Sequence, residues 1–398
     1  MINRLDQLDP AWAWSEYVPD ADLPWTRRLA AHLHRRAGLG GDAADLEQPL
    51  KVTPAEAVRR LVRREEPAGF RQEMADLARS TIATGDAANL PAWWTYRLLA
   101  TPHPVLEKLT LFWHGHFATS AAKVTDPELM HGQNELLREF ALGDFGALVQ
   151  RISRDPAMLL WLDSATNRKA HPNENYAREL LELFGLGEGN YTETDIRERA
   201  RCFTGWEIKL KRYRFNRFQH DSGEKTVRGE TGPFGGEEGV GVVLRQESCP
   251  RYIVRKLIRA FLFDEPDPPE HLVEPLARQL RDNNLVIAPV FERMLSSRLF
   301  FSRHAFGRRV RSPIEFAVGT LRTLEATTNT YDLAAGLGDL GQRPFFPPNV
   351  KGWDGGRTWI NSSTLLARSN LLRRFLDHDK TRFGGATLAS LVERHGRT

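Results

Sequence analysis

Apolar residues recur at helical spacing through most of the chain, with Pro, Gly and Asn marking the breaks between runs. Over residues 25–37, Leu29 and Leu33 fall on one side and Arg27, Arg28, Arg35 and Arg36 on the other, before Gly38 and Gly40 stop the helix. A second helix opens at Pro54, whose fixed φ suits a first turn. Pro102 and Pro104 divide the aromatic-rich stretch 89–118 into one helix through Trp93, Trp94 and Leu98 and another from Val105 to His116. The same periodicity predicts helices at about 133–141, 145–153, 156–163, 174–184 and 194–204, then from 250 to 263, onward after a break at 264–269 to about 324, and at 361–376.

At Trp206 the period changes. From Glu207 to Phe218, apolar Ile208, Leu210, Tyr213 and Phe215 alternate with Lys209, Lys211, Arg212 and Arg214, which predicts a strand with one bulge. Thr226 and Val227 suggest its return partner, ahead of a Gly-rich stretch from Gly229 to Gly241. The expected fold class is therefore mainly α, a compact multi-helix single domain with a small β-hairpin inserted at about 206–229. Residues 1–27 read as an N-terminal extension, 28–378 as the helical domain and 379–398 as a C-terminal tail. No fixed-period repeat marks a solenoid.

Composition narrows the class further. The 398 residues are 41% hydrophobic and 27% charged, as in ordinary globular proteins. Fifty-five Lys and Arg against 51 Asp and Glu leave a net charge of +4, which gives no support to nucleic-acid binding. Two cysteines, Cys202 and Cys249, allow one bridge at most and exclude a four-thiolate zinc site. No apolar run reaches the roughly 18 residues of a membrane span. The first ten residues show no leader, so the chain as written is expected to be cytoplasmic, or exported if a leader has been removed.

Four motifs carry candidate chemistry. In Phe112-Trp113-His114-Gly115-His116-Phe117, the histidines are two apart and point about 200° apart on a helix, so they share a metal only if the helix ends at Gly115. The plainer alternative has both imidazoles hydrogen-bonded to carbonyls at a helix end. From Asn173 to Gly185, the wheel places Glu174, Asn175, Arg178, Glu179 and Glu182 on one polar stripe. Facing a cleft, Glu179 and Glu182 are acid–base or metal candidates; facing solvent, Arg178 simply pairs with glutamates four residues away.

His220, Asp221 and Lys225 surround a turn at Gly223, either as site residues or as ordinary turn contacts. The basic and aromatic residues before them, 209–218, suit an anionic polymer or a solvated strand face. The fourth motif, from Phe345 to Ser363, holds Asn349, Lys351, Trp353 and Trp359 among prolines and glycines, and resembles a ligand-cleft wall more than a connector. Nucleophile-elbow, Walker, dinucleotide and His-Glu-x-x-His signatures are missing.

In order and spacing these four motifs, with Arg35-Arg36-Ala37-Gly38, resemble the bacterial domain of unknown function 1800 family over about residues 28–378, with Leu39 standing where that family usually has Phe. The resemblance implies a compact helical fold but no established reaction. Many relatives lie beside members of the domain of unknown function 1501 family, which resembles sulfatases, so such a protein is an expected partner. The residues point to a metal-dependent enzyme, hydrolase ahead of oxidoreductase, acting on an anionic or polymeric substrate. His114, His116, His220 and Glu182 are the expected ligands of a divalent ion; Glu179, Asp221, Arg178 and Lys225 the catalytic and anion-binding groups; Asn349, Lys351, Trp353 and Trp359 the substrate wall. The alternative is a non-catalytic binding protein or scaffold for a partner enzyme, in which the same polar groups lock helices together.

Overall fold

Local rules start most of the helices. Asp126, Asp144 and Asp155 each accept a hydrogen bond from a backbone N–H of the turn they precede, and Pro127 and Pro156 occupy the first helical positions. Thr192 with Asp195, and Ser312 with Glu315, form capping boxes at the helices Glu193–Cys202 and Pro313–Thr323. The computed structural model describes residues 5–395, and over them the chain is mainly helical, with three short two-stranded ladders. None of the described helices is long and apolar enough to cross a membrane.

One helix organises the interior. The histidine helix, Pro104–His116, follows Leu90–Ala100 across the break at Pro102 and Pro104. Its Val105, Leu109 and Trp113 enter the larger apolar cluster, while Leu111 enters the smaller one with Trp93, Trp94 and Leu98. It therefore lies between two cores, and its polar residues are buried with it. Glu107 accepts from Arg97 Nε at 2.5 Å, Arg138 Nε at 2.6 Å and Trp94 Nε1 at 2.9 Å. Burial works against this carboxylate, but Arg138 and Arg97 outweigh it and hold its pKa down to about 2.

The β elements differ from the predicted strand and return. Strand β1, Trp206–Lys209, pairs with β2, Arg212–Phe215, so the alternating stretch is itself a hairpin. Its turn is Leu210-Lys211, at φ 50° and 60°, a conformation that non-glycine residues adopt at a cost and that the sequence does not announce. The segment at Thr226 belongs to a second ladder, β3 Lys225–Val227 against β4 Glu230–Gly232. Beyond it, the Gly-rich stretch is in fact helical over Gly236–Arg245: Gly239 packs against Cys202, where a Cβ would meet the cysteine's own at 3.1 Å. Cys202 and Cys249 are free and buried, so the one bridge left open is not formed.

Both ends join the body. Leu5, Trp14 and Tyr17 belong to the larger core, with Trp14 Nε1 donating to Leu272 O at 2.8 Å. Phe383 pairs with Ala326 in the third ladder, β5 Ala326–Thr327 with β6 Arg382–Phe383, and Leu391 is buried in the smaller core. The remainder of the expected extension and tail, residues 1–4 and 396–398, lies outside the described residues.

Candidate functional site

A cleft of about 620 Å³ opens beside the histidine helix, between it, the lysine helix Ser248–Phe261 and the tryptophan loop 342–359. The loop is pinned by its own chemistry. His114 Nε2 accepts from the Phe345 N–H at 3.1 Å, which places the ring proton on Nδ1, and its ring packs within 5.8 Å of Trp353. At Gly352 the loop touches the end of the histidine helix so closely that a Cβ there would stand 2.2 Å from the Gly115 carbonyl oxygen.

The floor is a buried ion cluster. Glu315 meets Lys108 Nζ at 2.7 Å and Arg309 Nη1 at 2.6 Å, and Arg309 Nε lies 3.3 Å from Asp264. Burial opposes ionisation of Glu315, yet Arg309, Lys108 and Arg36 keep it charged far below the usual carboxylate range. Lys108 also donates to the carbonyls of Arg35 at 3.0 Å and Arg36 at 2.8 Å, capping the end of the Arg27–Ala37 helix. Arg36 in turn donates to Leu262 O at 3.1 Å. The Arg-Arg-Ala-Gly element thus ties the first long helix to the cleft.

Lys256 and His116 stand on the walls. Among the described residues Lys256 has no hydrogen-bond or ion-pair partner; its Nζ lies 5.3 Å from the centre of the Tyr252 ring. Burial and, secondarily, Arg259 push its pKa down to about 8. His116 is 2% exposed, and its Nε2 donates to Phe184 O at 3.0 Å. Nδ1 is then an unprotonated acceptor, buried without a partner among the described residues. Burial, reinforced by Lys256, keeps this imidazole neutral.

The Phe184 carbonyl is available because of how the glutamate helix ends. The predicted helix from Asn173 is α-helical only over Asn175–Glu179 and then widens into a π-turn, Leu180–Gly185. Glu174 holds the N-cap position without a side-chain cap, and Asn173 one residue earlier accepts through Oδ1 from the Asn175 N–H at 2.9 Å. Two of the carbonyls left over at the far end are used by neighbours, Leu183 O by the Tyr252 hydroxyl at 2.9 Å and Phe184 O by His116. Glu179 and Glu182 are half-buried on this helix. Burial and then Glu182 raise the pKa of Glu179, against Arg178 and Lys351; Glu182 accepts from the Tyr191 hydroxyl at 2.7 Å.

Of the residues singled out in the sequence, His116, Lys351, Trp353 and Trp359 line the cleft, and Glu179 does not, although it feels the charge of Lys351. The others are engaged elsewhere. Arg178 is forked onto Glu193 at 3.0 Å and reaches Glu174 at 3.3 Å, whereas Glu182, the other glutamate four residues away, is engaged by Tyr191. Asn349 Oδ1 accepts from the Lys351 N–H at 2.9 Å, closing a turn. Around the second ladder, Asp221 pairs with Arg201 at 2.7 Å, Lys225 Nζ donates to the carbonyls of Asp221 at 2.5 Å and Gly223 at 3.0 Å, and His220 Nδ1 donates to Thr204 O at 2.9 Å.

The proposed ligand set His114, His116, His220 and Glu182 is not brought together. The histidine helix runs unbroken through Gly115 to His116, so the rings diverge and each Nε2 is taken by backbone. Among the described residues no group of three or more His, Cys, Asp or Glu side chains is placed to hold a metal ion. What sequence reading missed is the cationic wall: Lys108, Lys256, Arg259, Arg309 and Arg357. Lys256 sits at the edge of an apolar helix face formed by Cys249, Ile253, Leu257 and Phe261, where a lysine ordinarily snorkels, so only its position over the cleft reveals it.

No curated protein and no solved structure matches the chain. The family described as protein of unknown function (DUF1800) matches residues 32–397, nearly the whole length, a span that includes the histidine helix, the lysine helix and the tryptophan loop around the cleft. The chain belongs to the DUF1800 family.

Proposed function

We infer that the chain is an enzyme that takes an anionic substrate into the cleft beside the histidine helix. The observation that carries this reading is the charge of the walls: Lys108, Lys256, Arg259, Arg309, Lys351 and Arg357 face four carboxylates, Asp264, Glu265, Glu315 and Asp354. Lys108 and Arg309 are committed to Glu315 in the floor, and Arg357 reaches Glu265 at 3.1 Å, which leaves Lys256, Arg259 and Lys351 nearest to free. Trp353 and Trp359 offer a stacking surface for a ring. Among the described residues no donor set converges for a metal-activated hydrolysis.

Calorimetry with inorganic phosphate and phenyl phosphate tests it. Both should bind, phenyl phosphate more tightly. Arg259→Glu should weaken both by about tenfold, as loss of one close charge interaction does. Trp353→Ala should remove the advantage of the phenyl group. Absence of binding by either ligand overturns the reading.

A second reading, a binding protein for a partner enzyme such as a member of the domain of unknown function 1501 family, rests on the hairpin. Leu210 at its turn is 87% exposed and Phe218, in the short turn that follows β2, is 70% exposed, more apolar surface than a short ladder needs. Co-elution of the two proteins on size exclusion, lost in Leu210→Asp, is its test.

A further inference from the structure

We propose that Lys256 is the catalytic amine of the cleft, condensing through Nζ with the carbonyl carbon of an anionic aldehyde or ketone while His116 Nδ1 carries the proton. This rests on the anionic-substrate reading and adds the reacting group and the substrate class.

The cleft holds three lysines, Lys108, Lys256 and Lys351. Lys108 is fixed by Glu315 and two carbonyls, and Lys351 is exposed and 3.8 Å from Glu188. Of these three, Lys256 alone is half-buried and, among the described residues, without a counter-ion. A lysine kept for structure is held by a carboxylate or by carbonyls, as Lys108 and Lys225 are in this molecule. An amine that must act as a nucleophile needs the opposite, a site that disfavours its ammonium form, and an apolar wall with a neighbouring cation supplies one. Phe112, Ala260 and Phe261 line that wall, and Arg259 follows on the same helix.

His116 completes the pair. Its buried Nδ1 lone pair has no donor among the described residues, and the Phe184 carbonyl fixes the proton on the other nitrogen. In the reaction the Nζ lone pair adds to the carbonyl carbon, and the C=O π pair moves to oxygen. A proton passes from nitrogen to Nδ1 and on to that oxygen, giving the carbinolamine. The nitrogen lone pair then expels hydroxide, which takes a proton from solvent and leaves as water. The product is a protonated imine, and hydrolysis reverses each step.

Pyridoxal 5′-phosphate, an anionic aromatic aldehyde, is the probe. The intact protein is mixed with one equivalent at pH 7, reduced with borohydride, and the labelled lysine among the ten in the chain is mapped by peptide mass. Lys256 should be labelled at least about ten-fold faster than exposed Lys169 or Lys209, since more of it is unprotonated. Excess inorganic phosphate should suppress that label alone. Lys256→Arg should lose it with an unchanged melting temperature, and His116→Gln should slow it while the exposed lysines react as before. Label spread over the exposed lysines, with Lys256 in no excess, overturns the proposal. If phosphate still raises the melting temperature in that case, only the amine chemistry falls; if it does not, the anionic-substrate reading falls as well.

Discussion

Gly352 of the tryptophan loop packs against the Gly115 carbonyl of the histidine helix with no room for a side chain. Gly352 has φ of +78°, and an added Cβ would lie 2.2 Å from the Gly115 oxygen. Both the left-handed backbone and the missing side chain are required at this one position. Gly352→Val should therefore cost about 2 kcal/mol or more and lift the loop from the helix. Urea denaturation with tryptophan emission would measure both effects; a fully stable variant with native emission contradicts the contact.

His116→Ala separates a hydrogen-bonded ring from a metal ligand. With Phe184 O left without its donor, stability should fall by roughly 1–3 kcal/mol. The loss should be the same with and without a chelator. A loss that appears only in metal-containing buffer would return His116 to a metal site.

Glu107→Gln should be among the most damaging polar substitutions, at about 3 kcal/mol, because the buried Arg97 and Arg138 lose the carboxylate between them and keep only Glu66 and Glu135 as counter-charges. The wild type carries a related pH signature. The folded pKa of Glu107, about 2, lies below the unfolded value, so its stabilisation is complete above about 4.3 and is lost as pH falls towards 2. Acid melting curves should show that slope, and Glu107→Gln should flatten it.

Lys256 has the opposite dependence. Its folded pKa of about 8 is below the unfolded value near 10.4, so between these the unfolded chain binds more protons and stability rises with pH. Below 8 the full penalty of a charged, unpaired amine is present. Lys256→Met should be more stable than wild type at pH 7, with the difference shrinking by pH 10. Equal stability of the two at pH 7 would show that the amine is well solvated.

Much of the helical frame is legible in the sequence because it rests on local rules: Pro102 and Pro104 force the break before the histidine helix, and Asn361 starts the last long helix as a cap. The tight turn at Leu210-Lys211 carries no glycine or asparagine, and the helix at Gly236–Arg245 carries too many glycines, so both run against local preference: the first is tied down by Lys211 pairing with Asp126 and Glu128, the second by packing against Cys202. The site divides the same way. Trp353 and Trp359 stand out by composition, whereas Lys256 reads as one cation among 55 and gains meaning only from the carboxylate it lacks in three dimensions. His114 and His116 draw attention as a pair, yet one anchors the loop and the other faces the cleft, a division set by the 200° between them.

Glu107 and Lys108 are consecutive, so they leave the histidine helix about 100° apart, one socketed between Arg97 and Arg138 and the other between Glu315 and the carbonyls of Arg35 and Arg36. Rolling the helix by a single residue would present an anion to a socket built for a cation, and the reverse. The helix is thereby keyed like a shaft in two slots, unable to turn or slide without unmaking both. Any breathing of the cleft around an incoming molecule must then be carried by its two other walls, with the histidines held as a stationary reference against which they move.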